Sequence, residues 1–128
     1  MFLRFVVHNH HEVSGRREGL FQALGELRHS GVLSAAEQER YDQIHDWFKG
    51  HLKRPRSLTR SSKPHAKHVA LSWFKHTATE HIAKMYELVH ILDAHGVAVD
   101  VLRSERPGYV VYEDHFQVAA EPFRETVG

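Results

Sequence analysis

Thr77–Leu102, TATEHIAKMYELVHILDAHGVAVDVL, is the stretch whose reading decides the fold. Ala78, Ile82, Met85, Val89 and Leu92 recur at alternating four- and three-residue spacings, which lines them up as one apolar stripe along a helix. Thr77 followed three residues later by Glu80 has the form of a capping box, in which a hydroxyl and a carboxylate satisfy free backbone N–H groups at the helix start. His95-Gly96 offers a glycine suited to the left-handed residue that ends a helix. Val97 to Leu102 then reads as a strand, and His68 to Phe74 (HVALSWF), rich in residues that fit a pleated surface, as another before the helix. Strand, helix and strand in this order predict a right-handed crossover joining a parallel pair.

Outward from this unit the pattern stays mixed. Phe2 to Val7 is aromatic and β-branched with a single charge, a strand. Ser14 and Gly15 open a helix carrying Leu20, Phe21, Leu24 and Leu27, which Gly31 closes. Ser34-Ala-Ala-Glu37 is a clearer capping box, and Tyr41, Ile44 and Phe48 follow on one face of its helix, with Gly50 weakening the end. Downstream, Arg106-Pro107-Gly108 is a turn, and Tyr109–Tyr112 with Phe116–Ala120 form a hairpin around Glu113-Asp114-His115. The expectation is one α+β domain over residues 1–128, with three helices packed on a mixed sheet of four or five strands and a C-terminal β-hairpin.

Length and composition agree. A chain of 128 residues with 41 % hydrophobic and 26 % charged residues has the size and balance of a single globular core. It has no cysteine, so disulfides, thiolate metal sites and cysteine nucleophiles are excluded. The opening MFLRFVVHNHHE is too short and too polar for a signal peptide, and no run approaches 18 apolar residues, which predicts a cytoplasmic protein without a membrane partner.

The formal charge of +1 conceals an asymmetry. Between Asp46 and Glu80 there is no acidic residue, whereas Lys49, Lys53, Arg54, Arg56, Arg60, Lys63, Lys67 and Lys75 are all present. KRPRSLTRSSKPHAK, Lys53 to Lys67, has two prolines and little to bury, so it is a loop, a basic connector at about 52–68. Cations strung along such a segment neutralise phosphates and release counterions, and Trp47, Phe48, Trp73 and Phe74 flank it with rings that would stack on bases if exposed. Lys53, Arg54, Arg56, Arg60, Lys63, Lys67, Lys75 and Trp73 are therefore the candidate nucleic-acid-binding residues, for RNA or DNA. An acidic protein is the alternative partner, or the acidic part of a second copy in a homo-oligomer.

Thirteen histidines add a second theme. His8, His10 and Glu12 alternate, so on one strand they share a face, and two imidazoles with a carboxylate can hold a divalent metal; no other cofactor is implied. His76, Glu80 and His81 are further potential ligands. His65, His68 or His76 beside Arg60, Lys67 and Lys75 would supply acid–base chemistry for a small phosphodiesterase or nuclease, although no spacing pairs them into a catalytic set. In RPGYVVYEDH, Arg106 would clamp an anion and Glu113 or Asp114 a cation, but turn chemistry explains the same residues. There is no glycine-rich phosphate loop, nucleophile elbow or zincin helix.

SWFKHTATEHIAKMYELVHIL, RPGYVVYEDHFQVAAEPF and SGRREGLFQAL resemble a group of small uncharacterised bacterial proteins of similar length. The resemblance implies a bacterial-type soluble protein and no established activity, cofactor or catalytic residue.

Overall fold

The first strand organises the molecule because its side chains are apolar on both faces. Leu3, Phe5, Val6 and Val7 of β1 (Phe2–His10) are all buried, the pattern of a strand with neighbours on both edges and cover on both sides. The computed structural model describes residues 1–10, 17–54 and 70–123, with all their side chains except those of Asn9 and His10. The remaining elements are β2 (Arg17–Gly19), α1 (Leu20–His29), α2 (Ala35–His51), β3 (Leu71–Lys75), α3 (Thr79–Ala94), β4 (Val99–Ser104), β5 (Tyr109–Glu113) and β6 (Gln117–Glu121).

The α+β class, the three helices and the C-terminal hairpin, β5 with β6, are as the sequence predicts. The sheet differs in two respects: among the described residues it has six strands, and every pairing is antiparallel. β4 runs along one edge of β1 from Phe2 to Val7. β3 meets the other edge at Phe2 and Leu3, and β2 meets that same edge from Val6 to His10. β3 and β4 therefore run parallel to each other but one strand apart. α3 still crosses between them, and β1 fills the gap where a direct parallel pair was expected. The Arg4 guanidinium sits at the junction on the shared edge, donating to the carbonyls of Ser72 on β3 and Arg17 on β2.

The three helices cover one face. Leu3, Phe5 and Val7 pack there against Leu20, Leu24, Tyr41, Ile44, Phe48, Met85, Leu88 and Leu92. The alternate residues point the other way, where Leu71, Trp73 and Val118 cluster with Phe2 and Leu102. Ion pairs join the outer helix surfaces, Arg28 to Asp42 and Arg40 to Glu87.

Three local expectations need correction. α1 begins at Leu20 and not near Ser14, because residues 17–19 join the sheet: Arg17 donates from Nε to the Val7 carbonyl and pairs with Asp100 across β1. The Ser34–Glu37 capping box forms in full, whereas the one expected at Thr77–Glu80 does not. Ala78 occupies the cap of α3 without a side-chain hydrogen bond, and helical residues start at Thr79. The buried stripe of α3 is also turned, with His81, Met85, Leu88, Ile91 and Leu92 innermost and Ile82 and Val89 at its flank.

Candidate nucleic-acid interface

The end of α2 and the tip of the β5–β6 hairpin enclose an open cleft of about 620 Å³. One wall is Lys49, Gly50, His51, Leu52 and Lys53; the other is Tyr112, Asp114, His115 and Phe116. This volume lies within the roughly 300–1,000 Å³ of small-ligand sites.

The helix wall follows from i,i+4 geometry. Tyr41, Ile44 and Phe48 take the buried stripe of α2, which leaves Trp47 and His51 stacked one turn apart on the neighbouring face. Their rings lie 4.2 Å apart at an interplanar angle of 4°. His51 Nδ1 donates to the Trp47 carbonyl at 2.7 Å; a carbonyl can only accept, so in the neutral ring Nε2 carries the lone pair. The Lys84 ammonium lies over the Trp47 ring, 4.4 Å from its centre.

Behind this wall His81, 3 % exposed, donates from Nε2 to the His51 carbonyl at 2.8 Å. Its ring packs among Trp47, Phe48, Phe74 and Phe116. Terminal helix carbonyls lack intrahelical partners, so this histidine fastens the end of α2 to the start of α3.

Asp114 organises the hairpin wall. Its carboxylate accepts from the backbone N–H groups of Phe116 and Gln117, from the Gln117 amide and from the Tyr112 hydroxyl. Burial pushes its pKa up, but these hydrogen bonds outweigh burial and hold it below the usual carboxylate value. The same contact raises the Tyr112 phenol, mainly through its hydrogen bond to Asp114. Gln117, 1 % exposed, also accepts from the Ser72 hydroxyl and donates to the Lys53 carbonyl at 2.5 Å. The first residue of the basic connector is thus anchored to the sheet at the mouth of the cleft.

The predicted interface residues fare unequally. Lys53 and Arg54 are exposed and form no ion pair among the described residues. Arg56, Arg60, Lys63 and Lys67 lie outside the described residues, as do His65, His68 and Glu12. Lys75 pairs with Glu113 at 2.6 Å, which neutralises much of its charge. Trp73 is a correction: it is 2 % exposed and packs with Leu71 and Val118, because its strand position points it into the sheet's second cluster, so no base can reach its ring. Of the other flanking rings Phe48 is buried, and only Trp47 reaches the cleft wall, through His51.

Of the three alternating metal candidates only His8 has a described side chain. His8 lies 3.7 Å from Asp100, whose carboxylate already holds Arg17 and is kept below its usual pKa chiefly by that hydrogen bond. The His10 side chain and Glu12 lie outside the described residues. Among the described residues no group of three or more His, Asp or Glu is placed to hold a metal ion. His76 sits by the backbone of Met1, and His81 is taken by the His51 carbonyl. Arg106 lies over the Phe123 ring, 5.3 Å from its centre, and shares no site with Asp114.

Sequence reasoning missed His51 and His115. A Trp and a His four residues apart at the start of an acid-free run were the available signal for the first. Nothing local marks His115, which folding carries to the cleft across 64 positions. No helix among the described residues is long and apolar enough to cross a membrane. Comparison of the chain with protein families, with curated proteins and with solved structures finds no match.

Proposed function

We propose that this protein binds nucleic acid, through the cleft between α2 and the hairpin tip and along the basic connector that leaves it. The observation that carries the reading is the imbalance of charge at the cleft mouth. Lys49 and Lys53 line the cleft and are exposed, as is Arg54 next along the chain, against one carboxylate among the described lining residues, Asp114, which four hydrogen bonds hold at the hairpin tip. Asp46, 3.9 Å from Lys49, offsets part of that lysine's charge, which leaves Lys53 and Arg54 as the cations with no ion pair among the described residues. Phosphates exchanging with the counterions of such a run gain favourable entropy, and the gain shrinks as salt rises.

The test is the ultraviolet absorbance ratio of the purified protein at low salt and after a high-salt wash. Co-purifying nucleic acid that salt removes supports the reading. A clean protein spectrum together with a salt-sensitive dimer supports instead an electrostatic contact between copies, which the acidic remainder of the chain would permit.

His51 and His115 on facing walls favour a second reading, metal-independent cleavage of a phosphodiester with one imidazole as base and the other as acid. Cleavage of an RNA oligonucleotide in the presence of a chelator, lost in His115→Gln, would establish it; intact RNA under those conditions would exclude it.

A further inference from the structure

We infer that the cleft takes an unpaired nucleobase face to face on His51, with the adjoining phosphates on Lys49 and Lys53, so that the ligand is single-stranded and not duplex nucleic acid. The inference rests on the nucleic-acid reading above and specifies the ligand of the same site. Trp47 covers one face of the His51 imidazole at 4.2 Å, nearly parallel. The side chain is nevertheless exposed and lines the cleft, and among the described residues no ring other than Trp47 stacks on it, which leaves its second face for a ligand. The hydrogen bond from Nδ1 to the Trp47 carbonyl and the stack itself both fix the ring plane before a ligand arrives. A flat group that needs no reorientation loses little entropy on binding. A base laid on it would extend the Trp47–His51 stack, with Tyr112 and Phe116 supplying apolar surface on the facing wall. Only an unpaired base presents such a face, since bases inside a duplex are stacked on one another.

The experiment measures fluorescence anisotropy of three labelled ten-residue probes at one salt concentration: a single-stranded oligonucleotide, its duplex, and an abasic strand with the same phosphates. Wild-type protein is expected to prefer the single strand over both others. His51→Ala is expected to weaken single-strand binding by about 5- to 150-fold, the range of one lost base stack, and to leave the abasic strand unaffected. His51→Phe, which keeps a flat ring, is expected to retain most of the affinity. Equal binding of the abasic and normal strands, or an unchanged His51→Ala, overturns the stacking inference while leaving phosphate binding standing. Absence of binding by every probe overturns both.

Discussion

His51 and Trp73 show that backbone periodicity, and not nearness to the connector in sequence, decides which flat ring is exposed. Both sit beside the basic connector and both are flat rings, but strand alternation sends Trp73 into the core whereas helix periodicity leaves His51 at the surface. Removing the Trp73 ring should open a cavity against Leu71 and Val118, and Trp73→Ala is expected to lose about 3–5 kcal/mol in a urea titration. Gly108 is a second position where the backbone decides. Its φ of 156° lies where side chains are disfavoured, and a Cβ there would run into the carbonyl of Glu121 on the paired strand. Gly108→Ala should therefore cost at least about 1–3 kcal/mol by the same titration, more than the propensity change alone would give. The sequence marked this glycine only as part of a turn, since its close approach to β6 depends on the hairpin register.

Among the elements, α2 was the most legible at its start, because a capping box is a local device. Ser34 Oγ accepts from the Glu37 N–H and the Glu37 carboxylate accepts from the Ser34 N–H, as the spacing predicts. Ser34→Ala is expected to cost about 1 kcal/mol in thermal or urea unfolding. Folding adds a partner the sequence did not reveal, His95 at the end of α3, whose Nε2 lies 2.9 Å from Glu37. The Ser34 backbone N–H first, and then His95, lower the Glu37 pKa from its usual 4.5. A depressed carboxylate stabilises the fold above its unfolded value, and that stabilisation disappears as pH falls through the lower folded value. Melting temperature should consequently drop more steeply below pH 4.5 in wild type than in Glu37→Gln. The Thr77–Glu80 pattern looked equivalent but is not used, because Ala78 and not Thr77 precedes the first helical residue. Residues 17–19 escaped notice for a different reason: a three-residue strand is too short to show a period, and its pairing with β1 is a tertiary fact.

Over the whole molecule, the six-stranded sheet places α2 and the hairpin tip, 64 positions apart, on the two sides of one cleft. The sequence made the basic connector legible as a charge pattern, because an acid-free run needs no fold to be seen. It did not disclose the cleft, which requires Gln117 on β6 to reach both Ser72 and the Lys53 carbonyl. Charge at the cleft mouth is the central claim, and the dependence of affinity on salt tests it most directly. Binding of a single-stranded oligonucleotide would be measured across a salt series for the wild type and for Lys49→Ala/Lys53→Ala/Arg54→Ala. Each phosphate contact contributes about 0.7 to the slope of log affinity against log salt, so loss of three should flatten it by about 2. All three side chains are exposed, so stability should be unchanged. A flattened slope at unchanged stability is the predicted result; the same slope and the same affinity in the variant would contradict the account.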